Sequence, residues 1–126
     1  MVKVSNSIKK NAGFVNRFLK KELKGNPKQL YDAASHLILH GGKRLRPFLV
    51  LKSCQMLGGR QSDAMAAASA VEMIHNFTLV HDDIMDNDEM RHGVPTTHKK
   101  FDMPLAILAG DVLYSKAYHT ISSKSK

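Results

Sequence analysis

Seven residues from Asp82 to Asp88 carry four carboxylates, in a chain whose formal net charge is +8. Crowded without compensation, such groups repel and raise one another's pKa values. If His81-Asp82-Asp83-Ile84-Met85-Asp86 is helical, Asp82 and Asp86 lie one turn apart on one side. Mg²⁺ takes oxygen ligands, keeps several waters and bridges one or two carboxylates to phosphates. Asp82 and Asp86 suit that task, with Asp83 beside them. A cluster of this kind taken alone also suits a solvated acidic helix end.

The second group able to do chemistry is basic: Gly41-Gly42-Lys43-Arg44-Leu45-Arg46-Pro47. An apolar helical run ends at His40, and the glycines supply its stop. Pro47 suits the first turn of the next helix, where its missing N–H costs nothing. Lys43, Arg44 and Arg46 are thereby expected beside a helix N-terminus, which favours anions. A Lys and an Arg three residues apart can grip a phosphate, one as a point charge and the other as a fork. Taken alone, the turn reads as a solvated connection between helices.

Charge is segregated along the chain. Residues 1–52 hold twelve Lys or Arg against Glu22 and Asp32, while residues 61–92 hold seven acids against Arg91. A pI near 9.8 raises a nucleic-acid reading. No stretch interleaves basic and aromatic residues, however, and no Cys/His zinc spacing is present. A basic cluster set apart from an acidic one fits an anionic ligand bridged by metal at least as well.

Around these groups the chain reads as all helix. Ile8, Ala12, Val15 and Leu19 recur at helical spacing in a first helix over about 4–24. Gly25-Asn26-Pro27 breaks it, with Asn26 as N-cap and Pro27 as first residue of a second helix. Leu30, Ala33, Ala34, Leu37 and Ile38 form the second helix's apolar stripe. A third helix runs from Pro47 to Leu57 and stops at Gly58-Gly59. The fourth starts near Ser62 or Asp63 with an Ala-rich stretch and carries the aspartates at its end. Along it Val71, His75, Thr78 or Leu79, Asp82 and Asp86 form one stripe, apolar at the start and polar at the end. Residues 87–101 read as loop, and Pro104 restarts a helix to about Ile121, with a polar, fraying tail beyond. No hairpin signal stands out. The lone Cys54 reads as a small core residue. No internal repeat, leader peptide or stretch of membrane-spanning length is present, so a reduced, cytoplasmic protein is expected.

Taken in order, Gly-Gly-Lys-x-x-Arg-Pro, the helix with Glu72-Met73-Ile74-His75 and Asp-Asp-x-x-Asp, Arg-x-Gly-x-Pro-Thr at Arg91–Thr96 and Ala109-Gly110-Asp111 resemble the trans-isoprenyl diphosphate synthases, or polyprenyl synthetases. The resemblance covers roughly residues 25–118. It implies an all-α bundle of the isoprenoid synthase type, with about five helices of a larger bundle present. It also implies a prenyltransferase that condenses isopentenyl diphosphate with an allylic diphosphate and uses Mg²⁺. By that resemblance Lys43, Arg46 and His75 hold isopentenyl diphosphate, Asp82 and Asp86 coordinate Mg²⁺, Asp83 supports that site, and Arg91 binds the allylic diphosphate. Phe77, five residues before Asp82, matches the place where similar synthases put an aromatic floor beneath the growing tail, next to Thr78. An uninterrupted Asp82–Asp86 motif with that aromatic resembles geranylgeranyl diphosphate synthases. The alternative is that Phe77 is a core aromatic facing a neighbouring helix.

Two departures follow from the resemblance. The family has a second arginine where this chain has His92, a weaker diphosphate ligand unless protonated. Family members are also about twice this long or more and carry a second aspartate-rich motif in their C-terminal half. Residues 1–126 are therefore expected to be the N-terminal part of a polyprenyl synthetase domain. A homo-oligomer, or a complementing C-terminal half, is the expected partner. The alternatives are a non-catalytic subunit or relic that binds diphosphates, and a basic nucleic-acid-binding helical protein.

Overall fold

The computed structural model describes residues 2–124. Six helices form α1 (Val2–Glu22), α2 (Lys28–His36), α3 (Leu45–Met56), α4 (Gln61–Met85), α5 (Thr97–Lys100) and α6 (Met103–Lys124). The α-bundle is as expected, with one more helix and one more feature. Between α4 and α5, β1 (Met90–Arg91) and β2 (Val94–Pro95) pair antiparallel, Met90 opposite Pro95 and Arg91 opposite Val94. The expected loop is thus a tight hairpin. Its central residues His92 (φ 54°) and Gly93 (φ 77°) are both left-handed, the backbone that a two-residue hairpin turn requires.

The 25-residue α4 is the axis of the molecule and touches α1, α3, α5 and α6. Its Ala64, Ala66, Ala68 and Ala70 are buried, and small side chains there let neighbouring helices approach closely. Further along, Gly110 of α6 lies under the ring of His81, where a Cβ would come within 2.3 Å of His81 Nε2. This close approach explains the glycine of the Ala-Gly-Asp motif. Val15, Leu19, Leu37, Ile38, Leu51, Met73 and Leu113 fill the core with almost no exposure. Each such side chain contributes about 1.5–3 kcal/mol by leaving water.

Local chemistry sets the helix ends, with some corrections to the sequence reading. Pro27, rather than Asn26, is the N-cap of α2, and no side chain caps it. The regular part of α2 ends at His36, and residues 37–40 continue as turn before Gly41. At the end of α3 the Gly59 N–H bonds to Cys54 O and the Gly58 N–H to Gln55 O, with Gly58 left-handed. Asn87 closes α4 in the same way: Asp88 N–H bonds to Asp83 O and Asn87 N–H to Ile84 O. This closure is a Schellman motif. It fixes Asp82 and Asp86 in the last turn of α4 and puts Asp88 beyond it. Asp102 caps α6 through the Leu105 N–H at 2.7 Å. That helix runs past Ile121, and Lys124 pairs with the buried Glu22 of α1. Of the expected fraying tail, 125–126 lie outside the described residues. Cys54 is half-buried against the core, its Sγ 3.5 Å from Arg60 O.

Candidate active site

The turn after α2, helix α4 and the hairpin bring sequence-distant basic residues together. Lys43, Arg46, His75 and His92 line one cavity of about 270 Å³ between the 41–46 turn, α4 and the hairpin tip. The ring of His92 rests on Gly41, where a Cβ would fall 2.6 Å from the ring carbon Cγ. Arg46 Nη1 donates to His75 Nε2 at 3.3 Å, which leaves the His75 proton on Nδ1. Burial lowers the His75 pKa, and the charges of Arg46, Arg91, His92 and Arg44 lower it further. His75 is therefore a neutral acceptor at the edge of a cationic cavity.

The acidic residues divide into two kinds. Asp82 and Asp86 are exposed, whereas Asp83 is 1% exposed. Asp83 faces Arg91, whose Nε donates to Oδ2 at 2.9 Å and whose Nη2 donates to Oδ1 at 2.8 Å. That fork first, and the charges of Asp83, Asp88 and Asp82 after it, raise the Arg91 pKa. Asp83 thus holds Arg91, while Asp82 and Asp86 stay free toward solvent. They also lie at a helix C-terminus, where the dipole favours cations and disfavours carboxylates. Among the described residues no three His, Cys, Asp or Glu gather closely enough to hold a metal by themselves. The donor set fits Mg²⁺ nonetheless: two exposed carboxylates one turn apart leave the remaining positions to water and phosphate oxygens.

The expected stripe on α4 is present, with Val71, Thr78, Asp82 and Asp86 exposed and His75 and Leu79 half-buried beside them. Thr78 bonds back to His75 O at 2.6 Å. Phe77 is half-buried on α4. Its ring lies edge-on to His81 at 4.8 Å and to Tyr114 of α6 at 5.2 Å, and Tyr114 meets Tyr118 at 5.0 Å. Tyr118 in turn lines an apolar groove with Ala70, Val71, Ile74, Ala117 and Ile121. Tyr114 and Tyr118, absent from the sequence reading, carry a signal in their four-residue spacing.

One expectation fails here. Arg44 does not join Lys43 and Arg46 at the surface; it is 4% exposed. Its guanidinium reaches Asn16, Ile38 O and Glu72 instead. Glu72 and its partner Asn76, also buried, were likewise missed as parts of the cavity wall.

A helical bundle of this shape, with aspartates at the end of its central helix, is an isoprenoid synthase bundle. Residues 27–126 match the polyprenyl synthetase family, and the chain belongs to it. It is 51% identical over 112 residues to a geranylgeranyl diphosphate synthase of Saccharolobus solfataricus, covering 89% of this chain and 34% of that protein. With a geranylgeranyl pyrophosphate synthase of Geoglobus acetivorans it shares 52% over 120 residues, 94% of this chain and 38% of the relative. The solved geranylgeranyl pyrophosphate synthetase of Pyrococcus horikoshii superposes with a TM-score of 0.92 at 44% identity, over 98% of this chain and 38% of that one. The chain spans about a third of the length of the curated relatives it matches.

Proposed function

We propose that this chain supplies the first diphosphate- and metal-binding wall of a geranylgeranyl diphosphate synthase-like prenyltransferase. The observation that carries this reading is the convergence of Lys43, Arg46, His75 and His92 on one cavity, on the same helix α4 that ends in the exposed Asp82 and Asp86. Lys43 and Arg46 bind the diphosphate of isopentenyl diphosphate, with His75 and His92 beside them. Arg91, aimed by Asp83, meets the allylic diphosphate. Asp82 and Asp86 would hold Mg²⁺, which when bound supplies positive charge against the departing diphosphate.

In the reaction, the allylic C–O bond breaks and its electron pair leaves with diphosphate. The isopentenyl double bond attacks the allylic carbon to form the new C–C bond, and loss of a proton restores a double bond. The cationic side chains are fixed before charge develops on the leaving group, which is the form of electrostatic preorganisation that lowers barriers most. Phe77 floors the tail pocket, backed by Tyr114. The second aspartate-rich wall comes from the portion that this chain does not span, in a dimer or a complementing chain, in the cytoplasm. Among the described residues no helix is long and apolar enough to cross a membrane.

The test joins this chain to the C-terminal portion of the Geoglobus acetivorans relative and follows incorporation of labelled isopentenyl diphosphate. Wild type should turn over, and Asp82→Ala with Asp86→Ala should lose at least about 10³-fold. Phe77→Ser in the same chimera should lengthen the products. Full activity in the double aspartate variant would refute the site, and unchanged products would make Phe77 a packing residue only.

A further inference from the structure

Arg44 stands between two exposed residues, Lys43 and Leu45, yet turns inward from a left-handed backbone (φ 59°, ψ 35°) at the N-cap of α3. Burying an arginine is costly unless its donors are met and its charge is paired. Both conditions are satisfied, from three separate elements. Nε donates to Asn16 Oδ1 of α1 at 2.7 Å, Nη2 donates to Ile38 O after α2, and Nη1 lies 3.7 Å from Glu72 Oε2 of α4. Glu72 is equally buried, and Asn76 Nδ2 donates to its backbone oxygen at 3.0 Å. The flanking Lys43 and Arg46 have no such anchors and are exposed. Arg46 donates to His75.

We propose that Arg44 is a positioning residue: by clamping the turn to α1, to the segment after α2 and to α4 it presents Lys43 and Arg46 to a diphosphate. This rests on the reading of the cavity as a diphosphate site. Two long, exposed cationic side chains on a loose turn would lose side-chain and backbone freedom on binding an anion, weakening it. A turn held at three points has already given up the backbone part. The fork is required rather than the charge, since the guanidinium meets its three partners with three separate nitrogens, whereas a lysine's donors all sit on one.

The experiment measures binding of inorganic diphosphate to the 126-residue chain by calorimetry, with thermal unfolding and the NMR titration of the His75 ring alongside. Arg46→Gln should bind about tenfold more weakly or worse. Arg44→Lys should lose about as much while keeping its charge, and Asn16→Ala, which removes one exposed partner, about two- to fivefold. In both, the His75 titration should move up as Arg46 leaves its side. If Arg44→Lys does not fold, Asn16→Ala carries the test. Variants that melt earlier yet bind like wild type, with His75 unmoved, would overturn the proposal and leave Arg44 a fold-holding residue. Wild type that does not bind, or Arg46→Gln that binds as tightly, would overturn the diphosphate reading itself and the proposal with it.

Discussion

Adjacent aspartates can have opposite surroundings, as Asp82 and Asp83 do: one stays exposed to water, the other is buried and holds Arg91. Asp83→Asn keeps the volume and removes the charge that faces Arg91. It should cost about 2–3 kcal/mol of stability by chemical denaturation, as expected for a hydrogen-bonded charge left unpaired. A loss within about 0.5 kcal/mol, typical of surface changes, would show that the fork contributes little. Two histidines make a second residue-level prediction. Burial lowers the pKa of His36, with Lys100 and His40 adding to it against the Pro95 carbonyl bond, and burial with the neighbouring cations lowers that of His75. The unfolded chain therefore binds more protons than the folded one between the depressed values and about 6.5. Their contribution is complete above about pH 6.5 and is lost as pH falls through the folded values. The melting temperature should drop between about pH 7.5 and pH 5.5, and His36→Gln with His75→Gln should flatten that drop. An equal slope in the double variant would place the acid sensitivity elsewhere.

Among the elements, α4 and α6 depend on one close approach. Gly110→Ala would drive a methyl into His81, whose Nε2 bonds Ile107 O at 3.2 Å. Thermal or chemical unfolding should show a loss of about 1–3 kcal/mol, the range for overpacking; a neutral or stabilising effect would mean the helices yield freely there. Long periodic helices were legible in the sequence because apolar spacing over many turns reports burial directly. The hairpin was not, because two-residue strands carry no alternation and His92 does not announce a left-handed turn as Asn would. The four-residue α5 is too short for periodicity. At the site, Lys43, Arg46 and the aspartates were legible as types at a spacing, whereas the inward turn of Arg44 was not. Nothing in a run of three basic residues says which one meets Glu72, 28 positions further on.

At the scale of the whole molecule, the chain shows faces that a complete bundle would cover. Leu45, Leu49, Met56 and Leu57 on and after α3, and Ile107, Tyr118 and Ile121 on α6, are exposed. Exposed apolar stripes on this scale mark interfaces, in keeping with a chain that spans about a third of its relatives. The basic cavity and the acidic helix end, by contrast, are formed within this chain. The central claim is that the acidic helix end holds Mg²⁺ against the allylic diphosphate, while the basic cavity takes isopentenyl diphosphate. The direct measurement is the thermal stabilisation of the chain by an allylic diphosphate, by Mg²⁺ and by both, since only ligands bound to the folded state raise its melting temperature. The account predicts a shift with both that exceeds the sum of the separate shifts, and its disappearance in Asp82→Ala with Asp86→Ala. Separate shifts that merely add in the wild type, or synergy that survives the double substitution, would contradict it.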